Sequence, residues 1–235
     1  ITAKAFGRFA YDLNDFDASQ LVEVIPKFHD TRNRYRQLEE AIREDRVGRV
    51  KEVQEEIAFI QNRKADCFLL YDLLDEGVLP LRVTHNDTKL NNIMFDSETK
   101  EPLCIVDLDT VMPGLVLFDF GDSIRFGAND CAEDEPDLSK VNFDFDLYET
   151  YVKGFIEGTN GILTEAELEY LPWGARVITL EQGIRFLTDY INGDVYYATT
   201  RPGQNLDRAR TQLKLVQDME NVWDKMVEAV QNAQK

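Results

Sequence analysis

The chain has 235 residues, 43% hydrophobic and 11% aromatic, enough for one substantial core and at most two subdomains, which excludes a disordered chain. Lys and Arg number 26 against 44 Asp and Glu, a formal net charge of −18 at pH 7, which excludes a nucleic-acid binder because phosphate backbones are held by clustered cations. Cys67, Cys104 and Cys131 lie far apart without CxxC spacing, against a disulfide framework or zinc site, and no long apolar run or signal segment occurs, so a soluble, cytoplasmic protein is expected.

In chain order, Ala5, Phe6, Phe9, Ala10 and Leu13 repeat at helical spacing. A loop rich in Asp and Asn follows as far as Pro26. Residues 31–74 are charged and almost free of Gly and Pro, and Val47, Val50, Ile57 and Ile60 share one face, so two long amphipathic helices with a break near Gly48 are predicted. Gly77 and Pro80 end this helical part, 1–77. The period then changes. Short apolar or β-branched runs at 81–84, 92–95 and 103–106, with a polar turn at 96–102, predict a strand, a polar loop and a β-hairpin within 81–112. A short helix is expected at 116–120 and an acidic surface loop at 129–136. The remainder, 143–235, reads as helical: Leu147, Tyr148, Tyr151, Val152, Phe155 and Ile156 form one stripe, Thr164 and Glu167 form a capping box, and 206–230 is a single terminal helix. The predicted fold class is mainly α with a small embedded hairpin, in one unit spanning 1–235.

The unusual polar residues cluster at that hairpin. His85-Asn86-Asp87-Thr88-Lys89-Leu90-Asn91-Asn92 is followed by Ile105-Val106-Asp107-Leu108-Asp109. Asp87 and Asn92 bound a loop between strands, and Asp107 ends the hairpin. Phosphoryl transfer from ATP needs a carboxylate near the attacking hydroxyl and hard oxygen ligands for magnesium, and these three side chains can supply them. Asp and Asn also favour turns with no catalytic role, so the set, not any one residue, carries the reading.

The spacing His-x-Asp-x-x-x-x-Asn with an apolar-apolar-Asp downstream resembles the signature shared by aminoglycoside phosphotransferases, choline kinases and protein kinases. The resemblance implies the C-terminal lobe of a protein-kinase-like fold, with Asp87 as catalytic base, Asn92 and Asp107 holding magnesium, Lys89 meeting the transferred phosphate, and His85 and Asp119 bracing the loop. A narrower likeness, in THNDTKLNNIMFD, IVDLDTVMPGLVLFDFGDSIRFGA, and RFLTDYINGDVYY with NLDRARTQ, is to the N-acetylhexosamine 1-kinases. It implies ATP and Mg2+ as co-substrate and cofactor, an amino-sugar substrate, and a sugar pocket lined by Asp109, Thr110, Arg185 and Tyr196. Neither GxGxxG nor Walker A occurs and nothing before Ala3 has room for a five-stranded sheet, so a nucleotide-covering lobe of roughly a hundred residues is expected outside this sequence. The lobe alone is then expected to turn over ATP poorly.

Two rivals follow from the same residues. Choline or aminoglycoside acceptors would suit an acidic pocket. Asp107-x-Asp109-x-Val111 also resembles the nucleophile motif of haloacid-dehalogenase-type phosphatases, which requires a parallel, doubly wound sheet downstream. A binding module without catalysis is a third reading, against which stand the intact catalytic-loop and metal positions. His29 has no sequence partner suggesting chemistry and is expected to be structural.

Overall fold

The structure, a computed structural model, describes residues 1–234. Its first helix, α1 (Thr2–Asp12), buries Ala3, Phe6 and Ala10 along one face, against which α6 (Phe145–Thr159) packs. α6 opens on Asp144, whose carboxylate accepts from the Leu147 N–H at 2.9 Å, satisfying one of the donors that a helix start leaves unpaired.

Residues 31–74 form three helices, not the two predicted: α2 (Thr31–Glu44), α3 (Gln54–Gln61) and α4 (Asp66–Asp75). α2 stops where Asp45 adopts a left-handed conformation at φ 38°, close to the predicted break. The second break was hidden because a distant residue makes it. Arg63 is drawn to Glu220, 157 positions away, at 2.6 Å, and bonds of Arg63 N to the Ile60 carbonyl and Asp66 N to the Arg63 carbonyl tighten the chain into a turn.

Four strands make two antiparallel ribbons. β1 (Arg82–Thr84) pairs with β4 (Met112–Gly114), and β2 (Ile93–Phe95) pairs with β3 (Pro102–Ile105) in the predicted hairpin. β4 went unpredicted since Pro113 argues against a strand; in a two-stranded ribbon it sits opposite Val83 and can turn its missing donor outward. α5 (Val116–Gly127) continues well past the predicted 116–120, and its polar residues Asp119, Asp122, Ser123 and Arg125 are buried along with its apolar ones.

α7 (Glu165–Asn192) begins at the predicted capping box and passes between two apolar clusters. Its first half lies against α5, in the cluster to which α1 and α6 also contribute, and its second half packs with α2, α3 and α8 (Gln204–Asn221). At the α5–α7 crossing the backbones nearly touch: a Cβ on Gly121 would overlap the Gly174 carbonyl oxygen. This fixes the helix that carries Asp119 and Asp122. The predicted terminal helix is two, because the chain turns at Val222 (φ −117°) so that α9 (Trp223–Ala233) can set Trp223 edge-on against Trp173, centroids 5.0 Å apart. Among the described residues no helix is long and apolar enough to cross a membrane.

Candidate active site

The loop after β1 is held from below by one carboxylate. Asp119 on α5 accepts from the backbone N–H of His85 at 2.8 Å and of Asn86 at 2.7 Å, and its own carbonyl accepts from the Thr88 hydroxyl. Two N–H groups converging on one side chain force a sharp bend, which Asn86 takes at φ 64°. Burial pushes the Asp119 carboxyl up to about 6 despite those two bonds, which favour its charged form.

Above the bend, His85 links the loop to the hairpin. Its Nδ1 accepts from the Asp87 N–H at 3.3 Å, so Nε2 carries the proton and donates to the Val106 carbonyl at 3.1 Å. Asn92 donates from Nδ2 to the Asp87 carbonyl at 2.8 Å and to Asp87 Oδ2 at 3.1 Å. The Lys89 ammonium lies 2.7 Å from Asp87 Oδ1. Both oxygens of Asp87 are therefore oriented, one by a cation and one by an amide. The Val106 N–H donates to the Asn92 carbonyl at 2.9 Å, so Asp107 emerges beside Asn92 at the open end of the hairpin, with left-handed backbone at φ 61°.

A cleft of about 540 Å3 opens beside Asp87 and Lys89, bounded by Thr110 from the hairpin side and by Arg185, Phe186 and Tyr197 from α7 and the chain after it. Thr110 also donates to the His85 carbonyl at 2.7 Å. The predicted sugar residues thus separate. Thr110 and Arg185 line this cleft, Asp109 is exposed and outside it, and Tyr196, 73% exposed, lines a neighbouring cavity instead. Asp189 sets that register: its carboxylate accepts from the N–H groups of Val195, Tyr196 and Tyr197 at 2.8–3.0 Å, turning Tyr197 inward and Tyr196 outward.

Sequence reasoning missed the cleft's back wall. His29, expected to be merely structural, is buried with Nδ1 3.0 Å from Glu181 Oε1 and Nε2 3.0 Å from the Asn86 carbonyl oxygen, next to Asp87. A carbonyl can only accept, and Glu181 already accepts from the Thr31 hydroxyl at 2.6 Å, so the imidazole carries both protons. Burial alone would pull its pKa down; the Glu181 carboxylate outweighs this and holds it above the usual value of 6.5. Beside it, burial would raise Asp122, but Arg125 and then His29 hold it below the usual carboxylate value. Arg125 reaches on to Glu133 at 3.0 Å, which ties the acidic loop predicted at 129–136 to the cleft wall. The signal that could have exposed this wall was a histidine outside the motif paired with a glutamate in an otherwise apolar helix, but their separation of 152 positions gave no spacing to read.

The donor set suits a hard cation. Asn92 spends its amide N–H groups on Asp87, and neither its Oδ1 nor the Asp107 carboxylate has a hydrogen-bond or ion-pair partner among the described residues. No group of three or more His, Cys, Asp or Glu is arranged for a metal among those residues; one amide oxygen and one carboxylate are donors of the kind that magnesium takes alongside substrate phosphates.

In a comparison with known families, residues 2–151 match a family model described as a phosphotransferase enzyme family. The matched stretch contains the whole loop and hairpin, Asp107, Asp119 and Asp122, and stops before Arg185 and Tyr197.

Proposed function

The chain belongs to the phosphotransferase enzyme family, and from that premise we propose that it transfers the γ-phosphoryl group of ATP to a hydroxyl of a sugar, the anomeric hydroxyl of an N-acetylhexosamine. The observation that carries the chemistry is Asp87, fixed at the cleft by Asn92 and Lys89 on a loop braced by Asp119 and His85. Asp87 accepts the proton of the attacking hydroxyl, while the Lys89 ammonium faces the charge that develops on the transferred group. Thr110 and Arg185 orient the acceptor from opposite sides of the cleft. Asn92 and Asp107 would hold magnesium, which when bound neutralises the triphosphate and aligns it. The choice of a sugar rests on the likeness of residues 84–96, 105–128, 185–197 and 205–212 to hexosamine kinases.

Two observations weigh against the rivals. A cationic acceptor of the choline or aminoglycoside kind would meet Arg185 and Arg208, neither of which has a carboxylate within ion-pair distance among the described residues. A phosphatase using Asp107 would need a parallel sheet, and the described residues hold only two antiparallel ribbons. The test is to express the intact gene product and measure ATP consumption against a panel of sugars and amino alcohols. N-acetylhexosamines should give the highest kcat/KM, and Asp87→Asn should lower kcat roughly 10²–10⁴-fold with the melting curve unchanged. Near-normal turnover in that variant removes Asp87 as base.

A further inference from the structure

Most arginines in this acidic chain rest on a carboxylate: Arg49 on Asp194, Arg63 on Glu220, Arg82 on Glu167, Arg125 on Asp122. Arg34 and Arg185 do not. Arg34, on α2, donates to Gln37 Oε1 at 3.2 Å and to the Phe28 carbonyl at 2.9 Å, and its Nε is buried without a partner. Arg185, on α7, donates to Gln182 Oε1 at 3.1 Å and lies over the rings of Phe28 and Tyr197. The two guanidiniums are close enough to feel each other: burial first, and then the like charge of Arg185, hold Arg34 below the usual arginine value. Glu181 attracts both, but its oxygens are already taken by His29 and Thr31.

Both arginines line a second cavity of about 350 Å3 between α2, α7 and the chain after α7. The carboxylates on its walls are all engaged: Glu40 by Arg43, Glu44 by Arg46, and Asp189 by three backbone N–H groups and Asn205. What remains is two half-buried guanidiniums, neither in an ion pair and one with an Nε–H that no group accepts, which is costly unless an anionic acceptor completes it. Arg185 and Tyr197 also line the cleft beside Asp87, so the two cavities share a wall.

We propose that the Arg34–Arg185 cavity is an anion subsite that takes a carboxylate or phosphate group carried by the acceptor, whose reacting hydroxyl lies in the cleft beside Asp87. The placing of that hydroxyl rests on the phosphotransfer reading above; the anion subsite itself does not. A neutral hexosamine leaves the two guanidiniums without an anion, whereas an acidic one fills the cavity. Planar guanidiniums meet the oxygens of either group through paired N–H donors.

Equilibrium binding measured calorimetrically on the full chain tests this without turnover. The probes are N-acetylglucosamine, its carboxylate-bearing lactyl ether N-acetylmuramic acid, N-acetylglucosamine 6-phosphate, and inorganic phosphate alone. At least one acidic sugar should bind about tenfold or more tightly than the neutral one. Arg34→Gln should erase that preference while leaving the neutral sugar's affinity unchanged, and Arg34→Lys should restore part of it; thermal melts of both variants establish that they fold. Equal binding of neutral and acidic sugars, or a preference that survives Arg34→Gln, overturns the proposal. Arg34-dependent binding of inorganic phosphate without any acidic-sugar preference also overturns it, leaving a site for a free anion. If an acidic preference holds but the intact gene product phosphorylates no sugar, the subsite stands and the phosphotransfer reading fails.

Discussion

The loop and hairpin of residues 85–107 and the wall formed by α2 and α7 face the same cleft, yet they are built in opposite ways. In the first, Asp87, Asn92, Val106 and His85 contact one another within about one hairpin, at sequence separations of 2 to 21. In the second, Glu181 reaches His29 and Thr31 across 152 and 150 positions. A local constellation shows itself as spacing; a long-range one is assembled by the core and leaves only isolated polar residues in an apolar pattern. The proposed base and magnesium oxygens all belong to the first region; the groups that brace the loop from behind, His29 and Glu181, and the two arginines belong to the second.

The sharpest way to break this contrast is at Glu181. Glu181→Gln keeps the size of the side chain but removes the charge that lets the buried imidazole hold two protons, so near neutral pH His29 keeps one proton and the charge-assisted pair with position 181 is lost. Removing one partner of a buried pair costs about 3 kcal/mol or more. The pH dependence has a defined sign. His29 has a folded pKa above its ordinary 6.5, so its share of stability is full below that value and is lost as pH rises through the raised one; Glu181, held below its ordinary 4.5, contributes above that value and loses its share in acid. The wild-type advantage over Glu181→Gln should therefore be greatest between about pH 4.5 and 6.5 and shrink in alkali. The chain has 2 histidines, so an NMR titration can follow His29 apart from His85. A His29 pKa that does not fall in the variant would show that the wall does not act through this pair.

A smaller effect is expected at the junction of the two regions. Asp119→Asn replaces one acceptor oxygen with a donor facing the His85 or Asn86 N–H, costing about 2 kcal/mol and loosening the bend that aims Asp87, with kcat lowered about tenfold or more. Because burial pushes Asp119 up to about 6 from 3.8, its extra proton affinity stabilises the fold below pH 3.8 and is lost as pH rises through 6; the variant's stability curve should lack that slope. Unchanged kcat in a destabilised variant would reduce Asp119 to a packing role. The same junction marks where sequence reading stops. The elements around 81–106 follow from period and turn chemistry, and Asp119 was reached only through a family likeness. The split at 62–65 depends on Glu220, the outward turn of Tyr196 on Asp189, and the length of α5 on pairing among its own buried polar groups. Each of these is decided by a partner that lies on another helix or faces the core, so no periodicity carries it.

The mildest change probes the best-read local signal. At the start of α7, Thr164 Oγ1 accepts from the Glu167 N–H at 3.1 Å and Glu167 Oε2 accepts from the Thr164 N–H at 2.8 Å. Thr164→Ala removes one capping bond at a half-exposed helix end and should cost about 1 kcal/mol, while Thr164→Ser, which keeps the hydroxyl, should stay within about 0.5 kcal/mol of wild type. Glu167 has a second task that the motif does not announce: it is fully buried and holds Arg82 of β1 at 2.5 Å, across 85 positions. Glu167→Gln keeps an acceptor for the Thr164 N–H yet leaves the Arg82 guanidinium short of its counter-charge, so it should destabilise by more than Thr164→Ala and disturb the strand that leads into the loop at His85. Thermal melts of the three variants rank the effects. If Thr164→Ala proved the costliest, the cap itself, and not the long-range pair of Glu167 with Arg82, would hold the start of α7 in place.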